Sequence, residues 1–478
     1  MSLKNKAIKG VFWSALESWG HQIISSIVFF VLARLLGPES FGLIALASVY
    51  IAFIGIFSGS SLSSAIVQRA DLEPEHLDTA FWTSLLISIA LTLVSFTLAG
   101  WIAILFSEPT LKSIVRWLSI SLLINAFSDV QQAIFQRNMD FRALSIRSLV
   151  ATTVSGIVGV TMALTGSGVW SLVGQQLSSS LTKVLVLWWV STWRPRLKFS
   201  KSHFKELLSF SINVTGSSFT NFFSRRSDDL LIGYFLGATA LGYYSVAYKL
   251  LLMMIDLFSR VLEKVAMPIF SKLQNEPTRI REAFYQVTQT ASLITFPAFI
   301  GAGILAPELI LIFFGNQWGE SIPIMQILVF IGILQSLSIF NSTVLLAMGK
   351  PDWRFALGLF LSITNVICFA ISVHWGIKAV ALAYVIKGYL LSPISLSLIK
   401  KLIKISYLKY VSQLYAPAVC TLIMTLGIVV TKYTFADQIN SIWLLLCCVS
   451  IGTIMYSSSL FLIFPSKFKK TISYFYST

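Results

Sequence analysis

The sequence predicts an all-α membrane protein of about 14 transmembrane helices, built as two parallel six-helix lobes plus two C-terminal helices. Three observations predict it. Hydrophobic residues make up 56% of the 478 and charged residues only 12%, with a mean hydropathy of +0.78, which does not describe a soluble domain. The charges sit in the gaps between long apolar runs, and those gaps alternate between strongly basic and nearly uncharged. The chain also repeats itself once.

A span needs about 20 apolar residues. Runs of that kind lie near 10–35, 41–66, 80–106, 114–136, 145–165, 168–192, 206–236, 239–263, 286–308, 322–348, 354–375, 377–399, 411–432 and 440–464. The first carries Glu17 and His21, lacks a small-residue cleavage site and is too long for a signal peptide, so it reads as a first span. The basic gaps hold Lys4/Lys6/Lys9, Arg137/Arg142/Arg147, Arg194 through Lys205, Lys264 through Arg281, Lys350/Arg354, Lys400 through Lys409 and Lys467/Lys469/Lys470. The intervening gaps hold only Arg34, Lys112, Arg116, Lys378 and Lys432. Cytoplasmic loops retain Lys and Arg, so the alternation places both termini of a multi-pass membrane protein in the cytoplasm. The net charge of +16 is mainly this positive-inside signal, not a nucleic-acid footprint.

The repeat aligns LARLLGPESFGLIALA at 32–47 with LIGYFLGATALGYYSVA at 231–247, AIVQRADLEPEHLDTAFW at 65–82 with AMPIFSKLQNEPTRIREAFY at 266–285, and GVWSLVGQQL at 168–177 with GIKAVALAYV at 376–385. Each unit spans six helices, an even number, so the second begins on the side where the first began and the halves are parallel. The expected division is 1–198 for the first lobe, 199–405 for the second and 406–478 for two added helices. A cleft between such halves can open to either side, which is a transporter's architecture.

At this point the chain resembles the Wzx-type polysaccharide and O-antigen flippases, the colanic and teichuronic acid exporter branch of the multidrug/oligosaccharidyl-lipid/polysaccharide superfamily. The residues carrying the resemblance are Leu32-Ala33-Arg34-Leu35-Leu36-Gly37-Pro38-Glu39-Ser40-Phe41-Gly42, Gln136-Arg137-Asn138-Met139-Asp140-Phe141 and Gly168-Val169-Trp170-Ser171-Leu172-Val173. In the second half they are Asp229-Leu230-Leu231-Ile232-Gly233, Leu236-Gly237 and Leu241-Gly242-Tyr243-Tyr244. The resemblance covers nearly the whole chain. It implies movement of an undecaprenyl-diphosphate-linked oligosaccharide across the cytoplasmic membrane by alternating access. The implied partners are that lipid-linked oligosaccharide, membrane lipids and polysaccharide polymerase machinery, without nucleic acid.

Ionisable side chains inside spans are costly and mark candidate sites. Glu17 and His21 lie four apart on one face of the first span, roughly 12–18 Å from its start. Lys249 lies roughly 15 Å into the eighth span, with Asp256 and Arg260 on the same stripe. Lys387, Lys183 and Asp129 also fall at depth. For Arg260 an ion pair with Asp256 is the favoured account. Arg225-Arg226-Ser227-Asp228-Asp229 is the densest cluster in any apolar run. It sits in the outer half of a long, bent seventh span, with Asn221 on the polar face below it and Arg225 within reach of Asp229.

Cations in a low-dielectric cleft suit a diphosphate. The candidate substrate-binding set is therefore Lys249, Arg225, Arg226, Asn221, Tyr244, Tyr248 and Lys387, the tyrosines and amide serving sugars. The candidate coupling set is Glu17, His21, Asp229 and Asp256, through which an ion gradient would drive the cycle. Cys368, Cys420, Cys447 and Cys448 fall inside apolar runs and form no metal-ligand spacing, so neither metal nor cofactor is expected. No P-loop, HExxH or GxSxG pattern appears, and no gap is large enough for a catalytic domain, so a carrier is expected and not an enzyme. The alternatives are a drug or small-molecule cation antiporter of the same superfamily, with an acid but few cations in its pocket, and a membrane polysaccharide ligase or polymerase, which needs a large outer loop.

Overall fold

The computed structural model describes residues 3–465 apart from 70 and 436; the side chains at 3–12, 14–16, 60–61 and at several positions between 209 and 224 lie outside the description. Among the described residues there are fifteen α-helices and no strand. They are α1 (Leu3–Leu35), α2 (Pro38–Gly55), α3 (Ser60–Gln68), α4 (Pro74–Leu105), α5 (Pro109–Arg137), α6 (Phe141–Leu164), α7 (Trp170–Val190), α8 (Lys201–Lys272), α9 (Pro277–Ile304), α10 (Ala306–Phe313), α11 (Ser321–Ala347), α12 (Pro351–Ser372), α13 (Ile377–Ile403), α14 (Tyr407–Phe435) and α15 (Ser441–Ile463). Eleven described helices are long and apolar enough to cross a membrane. The polar residues of α7 (Gln175, Gln176, Lys183) and the charges of α8 explain why those two are not among the eleven.

Proline sets where many of these helices start. Pro38, Pro74, Pro109, Pro277 and Pro351 each stand in the first turn, where the missing N–H costs nothing and φ is already helical. The third and ninth spans therefore begin at 74 and 277, well before their apolar runs. The second span is broken: α2 ends at Gly55, residues 56–59 turn, and α3 follows. A Cβ on Gly59 would lie 2.0 Å from Ser84 Oγ, so the turn is pressed directly against α4. α3 then buries Leu62, Ala65 and Ile66 against Ala80, Phe81, Val130, Ala133 and Leu207.

By internal contacts the chain forms two compact units, Met1–Gly242 and Tyr243–Thr478. In the first, α4 packs on α5, α5 on α7, α7 on α6 and α6 on α1. In the second, α9 packs on α11, α11 on α13 and α13 on α12, the same order, and α14 and α15 are added against each other and α9. The repeat read from sequence thus reappears as repeated packing.

The long α8 is two helical stretches, 201–236 and 238–272, meeting at Gly237 with φ 83° and ψ 176°. Only glycine occupies that conformation without strain. Just beyond it, Gly42 and Gly242 make reciprocal close approaches within the first unit. A Cβ on Gly42 would lie 1.7 Å from the Ala238 carbonyl oxygen, and one on Gly242 would lie 1.9 Å from the Pro38 carbonyl oxygen. That crossing ties residues 238–242 to α2, which is why the unit boundary falls after the kink.

Candidate functional site

In the first unit, α1 presents Glu17 and His21 one turn apart. Ser145 on α6 donates to Glu17 Oε2 at 3.3 Å, while also lying within bonding distance of the Trp13 and Phe141 carbonyl oxygens. Two residues on, Arg147 donates from Nη1 to Gln132 Oε1 of α5 at 2.7 Å. Its charge interacts with those of Glu17, Asp129 and Lys183, and its buried Nε has no hydrogen-bond partner. Four helices, α1, α5, α6 and α7, thus converge on one half-buried network of two acids and two cations. Beside it lies a cavity of about 410 Å³, within the size range of small-ligand sites. Its lining includes His21, Ser25, Asn125, Gln175, Gln176 and Lys183, a surface of amides and hydroxyls with a cation.

Arg147 is the residue the sequence reading missed. It was grouped with the loop charges Arg137 and Arg142, but α6 begins at Phe141, capped by Asp140 accepting from the Ala143 N–H at 3.3 Å. Arg147 is therefore inside the helix, in its second turn. The Asp-x-x-Ala cap was the signal that could have found it.

Further along the first unit, the 225–229 cluster does lie within helix. Ser227, Asp228 and Asp229 are buried and Arg225 is exposed. The ion pair joins Arg226 Nη1 to Asp229 Oδ2 at 3.0 Å, an i,i+3 pair, in place of the expected Arg225–Asp229 pairing. The Asp228 carboxylate accepts the Asp229 N–H at 3.0 Å. Below the cluster, Phe53 of α2 packs on Phe219, Phe222 and Phe223. The Asn221 side chain lies outside the described residues.

The second unit gathers different chemistry. Tyr244 and Tyr248 stack with centroids 5.9 Å apart and planes 11° from parallel. Tyr248 in turn meets Tyr384 of α13 at 6.5 Å, and Phe369 of α12 meets Tyr384 edge-on at 5.3 Å. The Tyr384 hydroxyl accepts from Gln335 Nε2 at 2.7 Å. Lys387 lies one turn beyond, with Nζ 5.7 Å from the Tyr384 ring centroid and donating to Asn365 Oδ1. Tyr244 is fully buried, so it supports the Tyr248 ring and offers no face of its own. Lys249 is exposed and makes no ion pair or hydrogen bond among the described residues. Asp256 is paired with Arg260, as its spacing implies.

The sequence profile of the polysaccharide biosynthesis protein family matches residues 31–323, more than half of the chain. The chain belongs to that family. Among similar proteins, the succinoglycan biosynthesis transport protein ExoT of Rhizobium meliloti is 29% identical over 67% of this chain and 65% of its own length. The lipopolysaccharide biosynthesis protein WzxC of Escherichia coli is 25% identical over 87% of this chain and 86% of its own. Among solved structures, the lipid II flippase MurJ in an inward closed conformation superposes with a TM-score of 0.76 at 16% identity, covering 95% of this chain and 99% of MurJ. A polysaccharide biosynthesis family member thus shares its fold with a lipid flippase over 95% of the chain.

Proposed function

We propose that the protein is a secondary transporter that flips undecaprenyl-diphosphate-linked oligosaccharide from the inner to the outer leaflet of the bacterial cytoplasmic membrane. The observation that carries this reading is membership of a polysaccharide biosynthesis family combined with a fold shared over 95% of the chain with a lipid II flippase. The side chains support it. Lys249 is an exposed cation that makes no ion pair or hydrogen bond among the described residues, and a diphosphate supplies the missing anion. The amide- and hydroxyl-lined cavity of the first unit suits sugar hydroxyls. A drug-cation antiporter would present acids where this chain presents Lys183, Lys249 and Lys387.

In this mechanism the repeats 1–198 and 199–405 are the alternating lobes, and the polyprenyl tail stays in lipid throughout. Both termini are cytoplasmic. Reporters fused after Arg142, Lys201, Lys272 and Lys404 should report cytoplasm, and those after Lys112, Glu320 and Asp437 the exterior. Function is tested with purified protein in vesicles carrying a fluorescent lipid-linked oligosaccharide in one leaflet. Protein-dependent exposure of the label on the opposite face is expected. Label that moves no faster than in empty vesicles, across several acidic and neutral glycans, would sink the proposal.

A further inference from the structure

We infer that the first unit carries a transition-metal site, of the kind suited to Zn²⁺, made by Glu73, His76 and His203. One nitrogen or carboxylate oxygen from each of the three lies within 4.8 Å of the others. Two of the chain's four histidines meet here although they are 127 positions apart, so the pairing is a product of the fold. Glu73 is the N-cap of α4 and His76 its third helical residue, while His203 stands at the start of α8.

The separations are better suited to a metal than to hydrogen bonds. His203 Nε2 is 3.5 Å from Glu73 Oε2, and His76 Nε2 is 3.4 Å from Glu206 Oε2. A charge-assisted hydrogen bond between such groups closes to about 2.7–2.9 Å. Bonds of about 2.0–2.1 Å in a tetrahedral zinc centre put neighbouring donor atoms about 3.4 Å apart. The rings of His76 and His203 now stack at 3.8 Å and 24°, so one ring must rotate about its χ angles for both to face one ion; His203, whose buried Nδ1 has no hydrogen-bond partner to lose, is the ring that can turn. Glu206, held by Arg69 at 2.6 Å, is the nearest further donor for a fourth position.

The ligand set selects the ion. Two imidazoles and a carboxylate favour Zn²⁺ and its borderline neighbours, whereas Mg²⁺ and Ca²⁺ require oxygen ligands. His76 must adjust to join. Its Nδ1 now accepts the Glu73 N–H at 3.1 Å, which leaves the hydrogen on Nε2. Ligation through Nε2 requires the neutral ring to carry that proton on Nδ1 instead, so the tautomer changes and the capping bond opens, a loss of one neutral hydrogen bond. The bound ion would then fasten the start of α8 to the start of α4. The linker 191–200 is already laid along α4, with the Arg196 N–H donating to Asp78 at 3.0 Å and the Ser200 N–H donating to Thr79 at 3.1 Å.

The test uses full-length, tag-free protein in detergent, stripped with a chelator and titrated with Co²⁺ and then Zn²⁺. One Co²⁺ per chain should bind with the intense visible absorption of four-coordinate cobalt, and Zn²⁺ should displace it while millimolar Mg²⁺ does not. His203→Ala and Glu73→Gln, each checked for an unchanged gel-filtration profile, should weaken Zn²⁺ binding at least tenfold. His374→Ala should leave it unchanged. Equal Zn²⁺ affinity in wild type and His203→Ala, or a pale six-coordinate cobalt spectrum, overturns the site. Neither readout depends on transport.

Discussion

The centres of the two units differ in their electrostatics. In the first unit Arg147 and Lys183 stand among the acids Glu17 and Asp129, so most charge is met inside the protein. In the second, Tyr244, Tyr248, Phe369 and Tyr384 form an aromatic cluster, Lys387 is met by the neutral Asn365 and the Tyr384 ring, and Lys249 makes no ion pair among the described residues. Duplication preserved packing order and turn glycines while the polar interiors diverged. What differs is where the cations find partners: Arg147 meets acids inside the first unit, whereas Lys249 has no ion-pair partner among the described residues.

The comparison is broken most forcefully at Arg147. Arg147→Leu leaves Glu17 and Asp129 without the cation that both interact with. Half-burial moderates the cost, and we expect a loss on the order of 2 kcal/mol, seen as a lower Tm and reduced membrane abundance. Export should fall with it. An Arg147→Leu protein with wild-type thermal stability would mean that the first unit is not charge-compensated.

Next in size is Lys249→Ala, which should separate function from stability. With no internal partner to lose, its Tm should stay within about 0.5 kcal/mol equivalents of wild type. Export of the sugar polymer should drop at least tenfold, and Lys249→Arg should restore part of it. The outcome to watch for is a matched loss of stability and export, which would make Lys249 a structural residue like Arg147.

The same two residues show what the sequence could and could not reveal. That Lys249 lacks an ion-pair partner among the described residues was legible, because it stands alone in an apolar run with no acid one turn away. Arg147 was not, because it follows Arg137 and Arg142 in the basic gap that marks a cytoplasmic loop, although it stands inside the span that begins near 145 and in the second turn of the helix capped by Asp140. The break between α2 and α3 was hidden for a related reason. Residues 41–66 read as one apolar run, and only the contact between Gly59 and Ser84 shows that the chain must turn there. Fold class and repeat were legible because each rests on many residues. The partner of Asp229 was not, because i,i+3 and i,i+4 are both within reach and rotamers decide.

A smaller effect is expected at the aromatic face. Tyr248→Ala removes the ring lying between Tyr244 and Tyr384 and should reduce flipping several-fold, since a sugar stacked on it loses its platform. Tyr248→Phe keeps the ring and should stay within about twofold of wild type, a change of under 1 kcal/mol. Equal losses for both variants would show that the hydroxyl, and not the face, is what matters.

The smallest effect on rate, and the one that sharpens the comparison most, is expected from Glu17→Gln. The amide oxygen can still accept from Ser145, so the local geometry survives, and Arg147 retains Asp129 as its acid. What is lost is a titratable group one turn from His21, beside a cavity that water can enter. If the compensated network of the first unit is where the gradient acts, downhill flipping by Glu17→Gln should remain within about threefold of wild type, under 1 kcal/mol in barrier height. Its response to an imposed pH or sodium gradient should disappear. The measurement is the flipping rate of a labelled lipid-linked sugar in vesicles, with and without the gradient, for wild type and variant side by side. A variant that keeps the full gradient response moves the coupling group away from α1. Asp229 would then be the next candidate, because both it and Asp256 are paired with an arginine but Asp229 is the buried one.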